Sequence, residues 1–318
     1  MSKNKLIPKE KFDAAIKNNL VDDLFTYVIE EDGKKKREYH NYYSESAFAD
    51  FVKEMKEKYP EHYEKFKGKK NASSNAGGKG GELDAQNSRP PKMASVASSS
   101  RFCYLALRDG ADTDILGKAF TTKDVEFEKE CRIFTKGTAP QLDAFIKDDE
   151  RDIFVEAKCH EIFDSHKVEF KSAYWDYFKK DKTLCKLIDN HEKPSESFVV
   201  PFGKFDIKKE SPCFDIKQFV CHLLGIKEQQ KGKKAKLVYM FFKPVTDDKE
   251  TATLIESVFK ELKEEIEAIF KCDVIKEFCK NNNIELMAIA QKSKTMKKLD
   301  SEETIYLYNC QNQVPPAK

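Results

Sequence analysis

The chain has 318 residues, of which 40% are hydrophobic and 35% are charged, and its formal net charge is only +2. This length can bury a full hydrophobic core, and the composition is typical of a soluble protein with a strongly charged surface. Overall basicity therefore gives no sign of a nucleic-acid partner, so any such surface would have to come from local clustering of charge.

The cysteines indicate the compartment. The sequence has nine, at positions 103, 131, 159, 185, 213, 221, 272, 279 and 310, and no CxxC pair. An odd number without paired spacing favours neither a disulfide framework nor a zinc ribbon, so we expect reduced thiols and a cytoplasmic protein. The start, MSKNKLIPKEKF, has no apolar stretch typical of a signal peptide, and no segment reaches the length of a membrane span, so no membrane contact is predicted.

The composition changes sharply once along the chain and predicts two regions. Residues 1–68 are rich in Lys, Glu and Tyr and are predicted to form a mostly helical region, with an amphipathic helix at 45–58. Residues 69–81, which include NASSNAGGKGG, are too poor in apolar groups to fold and are predicted to be a flexible connector. A larger domain is predicted at 82–312, and the N-terminal region is a candidate specificity or partner module.

The larger domain shows alternating helix and strand patterns. A helix is predicted at 90–107, then strands at 126–135, 141–146 and 152–159, the last two forming an antiparallel hairpin. A mostly helical aromatic stretch follows at 168–178, then a helix at 214–226 that Gly225 closes, and a buried strand at 237–242. A helix at 250–270 and strands at 284–290 and 304–309 form a C-terminal α/β extension. The order helix, three strands, helix, strand predicts an α/β fold with a mixed central sheet.

Two charged residues interrupt the apolar strand that reads IFVEAKC. Because strand side chains alternate, Glu156 and Lys158 share one face with Phe154, while the residues between them face the other way. On the preceding strand Asp143 interrupts LDAFI, and a short hairpin would bring it near Glu156. Two carboxylates can hold Mg²⁺, and a lysine can orient a water or stabilise developing charge, so the pattern predicts metal-assisted phosphodiester hydrolysis. The competing interpretation is an exposed hairpin whose Glu and Lys form an ordinary cross-strand pair.

The spacing of Asp143 from Glu156-Ala157-Lys158 at the end of a hydrophobic strand resembles the PD-(D/E)XK nuclease superfamily, over about residues 80–245. The resemblance implies a restriction-endonuclease-like αβββαβ core. It also implies that Asp143, Glu156 and the main-chain carbonyl of Ala157 hold the metal while Lys158 positions the nucleophilic water. The stretches PPKMASVASSSRFCYLALRDG, TAPQLDAFI, IFVEAKCHE and FDIKQFVCHLLGI resemble a bacterial group assigned as restriction endonucleases. One departure is that Pro140 lies three residues before Asp143, whereas the motif has its proline directly before the acid.

Other residues are weaker candidates for the same site. Glu82 ahead of the first helix, or Glu128 on the first strand, would supply a third acid to the metal, although either is more often an ordinary surface charge. Gln218 and His222 share one helix face and resemble the QxxxY arrangement of the exonuclease branch, with His in place of Tyr. The alternative for both is a half-buried polar face of a core helix. Lysines at 204–210 and 227–236 are candidate DNA contacts.

The function predicted from these features is a Mg²⁺-dependent endodeoxyribonuclease, similar to type II restriction enzymes, in which Mn²⁺ would substitute. Its role would be restriction or phage defence, with DNA as partner, a homodimer expected from double-strand cleavage and a methyltransferase as a further partner. The alternatives are a repair or recombination nuclease on branched DNA or DNA ends, and a DNA-binding protein that keeps the fold without cleaving.

Overall fold

The structure is a computed structural model, and it describes residues 6–18, 26–31, 35–67, 81–85, 89–109, 120–135, 139–164, 166, 168–188, 192–200, 213–293 and 301–308. The predicted connector at 69–81 therefore lies, except for Gly81, outside the described residues, as does the lysine-containing segment 204–210.

The N-terminal elements in chain order are α1 (Leu6–Asn18), β1 (Tyr27–Glu31), β2 (Lys35–Tyr39), α2 (Glu45–Lys58) and α3 (Pro60–Lys67). The next elements are α4 (Ser99–Leu107), β3 (Val125–Glu130), β4 (Gln141–Ile146), β5 (Asp152–Lys158), β6 (Glu169–Lys171), α5 (Ala173–Lys180) and β7 (Ser197–Val199). The chain continues with α6 (Ile216–Gln230), β8 (Ala235–Pro244), α7 (Lys249–Phe270), α8 (Asp273–Asn281), β9 (Ile284–Ser293) and β10 (Ser301–Tyr308).

Six strands form the central sheet, in the order β10-β9-β8-β5-β4-β3. β5, β8 and β9 run parallel to one another, while β3, β4 and β5 pair antiparallel, as do β9 and β10. This confirms the predicted α/β class with a mixed sheet. Among the described elements α4 precedes the three antiparallel strands and α6 precedes β8, in the predicted order.

The two faces of the sheet carry different helices. Phe242 of β8 contacts Phe12 of α1 and Phe102 of α4, with ring centroids 6.3 and 5.4 Å apart. Tyr239, which alternation places on the opposite face, contacts Phe219 of α6 at 6.0 Å. All ten residues of β8 are buried, as expected of a strand covered by helices on both faces.

The structure corrects several predicted boundaries. The helix predicted at 90–107 begins only at Ser99, because Ser98 caps it by accepting the N–H of Arg101 at 3.2 Å. The strand predicted at 126–135 ends at Glu130. The stretch 168–178, predicted to be mostly helical, starts with the short strand β6, which pairs with β7. Helix α8 and the β1–β2 pair were not predicted.

The N-terminal region packs directly on the larger domain. Phe12 of α1 lies 5.0 Å from Phe163, and Phe51 of α2 lies 5.7 Å from Tyr104 of α4, measured between ring centroids. These side chains belong to one continuous hydrophobic core. The described residues of the region form three helices and a two-stranded sheet.

The prediction that no segment spans a membrane can be compared with the helices of the structure. Among the described residues, none of the helices combines the length and the apolar character needed to cross a bilayer.

Gly225 has a packing role instead of the predicted helix-closing role. Helix α6 continues five residues beyond it, to Gln230, and ends at Lys231 in the left-handed conformation with φ of 48°. A Cβ atom at position 225 would lie 2.6 Å from both the Cβ and the carbonyl oxygen of Cys131. The glycine therefore allows the helix to approach the end of β3.

We expect Gly225→Ala to destabilise the protein by about 1–3 kcal/mol, because the added methyl group overpacks the contact with Cys131. Helix propensity alone would favour Ala by about 1 kcal/mol, so the sign of the effect separates the two explanations. Urea denaturation measures the free energy of unfolding. Lys260→Ala on the exposed face of α7 is the control, and a stabilised Gly225→Ala variant would contradict the packing role.

Candidate functional site

The carboxylates of β4 and β5 meet where the two strands separate. The ladder pairs Ala144 with Val155, which places Asp143 across from Glu156. At this point the backbone ladder between β4 and β5 ends, and the N–H of Ala157 donates instead to the side-chain Oδ2 of Asp143 at 2.8 Å. The hairpin thus brings the two predicted acids together.

Glu156 is held by a closed set of hydrogen bonds, although only 4% of its surface is exposed. Its Oε1 accepts from Lys158 Nζ at 2.7 Å and from Gln218 Nε2 at 2.9 Å. Lys158 Nζ also donates to Oε1 of Gln218 at 2.8 Å. Glu156, Lys158 and Gln218 are thus hydrogen-bonded to one another, which offsets the cost of burying a charged group. Gln218 therefore lies at the site, where sequence analysis had given it only a weak role.

The beginning of α6 positions Gln218. Asp215 caps the helix by accepting the N–H of Gln218 at 2.8 Å, and it also lies 3.4 Å from Nδ1 of His166. The other ring nitrogen of His166 is 3.2 Å from the carbonyl oxygen of Glu161. The pair ties α6 to the segment after β5. Sequence analysis missed this pair, although Asp215 directly before an apolar helical run is a capping signal.

Glu128 and Glu82 lie close to Asp143 and Glu156. The pairing of β3 with β4 places Glu128 across from Asp143, and Glu128 has a positive φ of 56°, which is uncommon for a residue with a side chain. Glu82 lines a cavity together with Asp143 and Glu156, and it accepts a hydrogen bond from Lys92 Nζ at 2.7 Å. Both candidates for a third acid therefore lie at the site.

Glu128 and Asp143 hold their protons more tightly than usual. Burial, together with the charges of Glu82 and Glu156, raises the pKa of Glu128 to about 8. Burial also raises the pKa of Asp143 well above its ordinary value, and the neighbouring Glu156 and Glu128 add to this. Like charges are therefore concentrated where a cation would relieve their repulsion.

Lys158 remains an ammonium at neutral pH. Burial opposes its charge, but the surrounding Glu156, Glu161 and Asp143 outweigh it and raise the pKa of Lys158. A lysine with a raised pKa cannot accept a proton from a water molecule. Its role is therefore to stabilise negative charge, or to orient a water by donating to it.

A cavity of about 400 Å³ opens onto this cluster. It is lined by Asp143, Glu156, Ala157 and Lys158, by Ser98, Ser99 and Ser100 at the start of α4, and by Tyr42 of the N-terminal region. The cavity has room for a substrate group beside the acids.

His222 supports the site from behind. It is 1% exposed, its Nδ1 lies 3.0 Å from the Tyr239 hydroxyl and its Nε2 lies 3.1 Å from the carbonyl oxygen of Gln141. Because a carbonyl only accepts, Nε2 carries the proton and Nδ1 accepts from Tyr239. Burial lowers the pKa of His222 and keeps the ring neutral, at 3.8 Å from Oε2 of Glu156. It is not among the residues that line the cavity.

The donor set at the cavity fits a hard divalent cation, because it is rich in carboxylate oxygen and poor in sulfur and imidazole. In the described part of the chain, only Cys213, Glu261 and Glu265 bring three potential ligand atoms within 4.8 Å of one another. Glu265 is already engaged there, since it accepts the N–H groups of Cys213 at 3.1 Å and Phe214 at 2.8 Å. That cluster anchors the chain ahead of α6, whereas the cavity acids are more widely spaced.

The lysines at 227–236 lie far from the cavity. Ala235 pairs with Asp152 at the start of β5, and Phe241 pairs with Lys158 at its end, six residues further on. That separation is about 20 Å at the rise of a β-strand. The nearby turn contributes the acids Asp148 and Asp149. These lysines are therefore not part of the cavity wall.

No protein-family model, curated protein or solved structure matches this chain. The interpretation therefore depends on the geometry described above.

We expect His166→Gln to destabilise the protein more at pH 5.5 than at pH 8.5. Burial lowers the pKa of His166, but the hydrogen bond and charge of Asp215 outweigh it and raise that pKa. The pair therefore contributes fully below the unfolded histidine value of about 6.5 and is lost as pH rises through the folded value. Urea denaturation at both pH values measures the difference, with His40→Gln as an exposed control. An equal loss at both pH values would contradict the ion pair.

We expect Asp143→Asn to stabilise the protein in EDTA at pH 8 by about 0.5–2 kcal/mol, the range of single stabilising changes. The substitution removes a repelled, buried charge, while its amide oxygen still accepts the N–H of Ala157. Because the folded protein binds this proton more tightly, the gain is expected to shrink as the pH falls and to vanish below about pH 4, where both states are protonated. Asp50→Asn is the exposed control, and a destabilised Asp143→Asn would contradict the repulsion among the acids.

Proposed function

We propose that the protein is a metal-dependent endodeoxyribonuclease that hydrolyses DNA phosphodiester bonds. The observation that carries the proposal is the convergence of Asp143, Glu156 and Lys158 from two neighbouring strands on one cavity. An ordinary exposed hairpin pair would not bury Glu156 or hold it with a second side chain, Gln218.

The chain offers a defined set of groups to a cation. Asp143, Glu156 and the carbonyl of Ala157 would hold Mg²⁺ or Mn²⁺, and Glu128 or Glu82 would add a further oxygen. When bound, the ion supplies Lewis-acid polarisation of the phosphoryl group and lowers the pKa of a coordinated water. Gln218 keeps Glu156 and Lys158 in place, and the Lys158 ammonium stabilises charge on the phosphoryl oxygens.

The order of elements supports the same proposal. The succession α4, β3, β4, β5, α6, β8 follows the αβββαβ order of the restriction-endonuclease-like fold, with β6, α5 and β7 as an insertion. Both acids and the lysine lie on the second and third of the antiparallel strands, as the resemblance to the PD-(D/E)XK superfamily implies. Restriction or phage defence is the role that this resemblance suggests.

The direct test is cleavage of supercoiled, linear and branched DNA by the purified protein with Mg²⁺, Mn²⁺ or EDTA. We expect conversion of supercoiled to linear DNA with metal, and a loss of at least about 10²-fold in rate for Asp143→Ala, Glu156→Ala and Lys158→Ala, the scale for removing an electrostatic contact in a transition state. Glu264→Ala and Lys263→Ala on the exposed face of α7 are the matched controls.

Three outcomes would contradict the proposal. Cleavage that persists in Asp143→Ala or Glu156→Ala would show that the site is elsewhere. If wild-type protein binds each DNA but cleaves none with metal present, the non-cleaving DNA-binding alternative is favoured. Cleavage confined to branched DNA or to ends would favour the repair alternative.

A further inference from the structure

His160 lies at the cavity although strand alternation alone would not place it there. The chain leaves the extended conformation at Cys159, with φ of −108° and ψ of −93°, and then forms a 3₁₀ turn at His160–Phe163. This turn brings His160 into the cavity wall beside Lys158 and Glu161. The residues Asp143, Glu156 and His160 therefore line the same cavity.

The two ring nitrogens of His160 have different surroundings. Nδ1 is buried and makes no hydrogen bond to any described residue. Nε2 makes no hydrogen bond to a described residue, and His160 as a whole is half-buried and lines the cavity. A buried nitrogen of this kind needs a partner, because desolvation without a hydrogen bond is costly.

Asp13 of α1 is close enough to His160 for their charges to interact. Helix α1 packs on the 3₁₀ turn, and Phe12 contacts Phe163 at 5.0 Å. Asp13 is only 7% exposed, and while Asn41 donates to its Oδ2 at 3.0 Å, its Oδ1 has no partner among the described residues. Burial raises the pKa of Asp13, and among the neighbouring charges that lower it His160 is the strongest.

Two buried atoms without hydrogen bonds thus lie on neighbouring elements, with complementary chemistry. We propose that His160 is the general acid of the phosphodiester hydrolysis proposed above and that Asp13 is its positioning residue. Turning the imidazole toward α1 joins Nδ1–H to Oδ1 of Asp13 and leaves Nε2–H directed into the cavity. A carboxylate holding one ring nitrogen while the other transfers a proton is an established way of orienting a histidine.

The proposed step is balanced in protons and bonds. The oxygen of a water molecule forms a bond to phosphorus while the bond from phosphorus to the leaving sugar oxygen breaks. Nε2 of the imidazolium gives its proton to that leaving oxygen, and the proton released by the water passes to solvent, from which His160 is protonated again. Lys158 has three N–H donors, of which two are engaged with Glu156 and Gln218 and the third is assigned to the phosphoryl oxygens, so protonation of the leaving oxygen falls to His160.

The inference rests on the proposed nuclease activity, and the test keeps the two separate. The protein is the full chain, assayed on the DNA that wild-type cleaves, after the products have identified which sugar oxygen leaves. We expect His160→Gln to lose about 10²-fold or more in single-turnover rate, the contribution typical of a general acid, while its affinity for DNA in Ca²⁺ changes little. Asp13→Asn is expected to lose rate in the same direction by a smaller factor.

A substrate with sulfur in place of the leaving oxygen separates proton transfer from a structural role. A thiolate leaves without protonation, so His160→Gln should cleave this substrate nearly as fast as wild-type. Lys158→Ala should remain slow on the sulfur substrate, because Lys158 does not protonate the leaving group. His40→Gln is the control for removing an exposed histidine, and thermal unfolding shows whether each variant is folded.

Each outcome decides one claim. If wild-type protein cleaves neither substrate, the nuclease proposal fails. If wild-type cleaves and His160→Gln cleaves unmodified DNA at the same rate, the general-acid proposal fails while the nuclease proposal stands. If His160→Gln is folded and slow but equally slow with the sulfur substrate, His160 does not protonate the leaving group, and that role is overturned.

Discussion

The site depends on one constraint, which is the burial of the Glu156 carboxylate in the middle of a six-stranded sheet. Such a charge needs compensation, and losing one partner of a buried pair typically costs about 3–5 kcal/mol. Lys158, two residues along the same strand, and Gln218, in the first turn of α6, both donate hydrogen bonds to this carboxylate. The placement of α6 follows from this need, because its first turn has to reach the strand. Asp215 fixes that turn, and His222, one turn further on, closes the space behind Glu156.

The neighbouring acids act against this compensation. Glu128 and Asp143 lie across from each other and beside Glu156, and both have raised pKa values because burial and like charge favour the protonated form. A protein selected only for stability would replace one of them with a neutral residue. Retaining the repulsion keeps several carboxylates around one cavity, which is the usual trade of stability for a preorganised site.

Sequence reasoning could reach the centre of this site because the relevant rules are local. Alternation along β5 put Glu156 and Lys158 on one face, and a short hairpin brought Asp143 opposite. The same rules failed where the backbone changes conformation. His160 enters the cavity only because Cys159 departs from the strand, a torsion that no periodicity reports. Gly225 looked like a helix end, but its role is set by Cys131, which is distant in sequence.

The N-terminal region belongs to the site and is not only an appendage to it. Tyr42 forms part of the cavity wall, and Asp13 belongs to α1, which packs on the 3₁₀ turn that carries His160. The carboxylates and Lys158 come from the sheet, whereas the group proposed to position the imidazole comes from α1. This division would suit the proposed phosphodiester hydrolysis, since attack on phosphorus and departure of the sugar oxygen occur on opposite sides of the phosphoryl group. Helix α1 is held against the turn that carries His160 by the contact of Phe12 with Phe163.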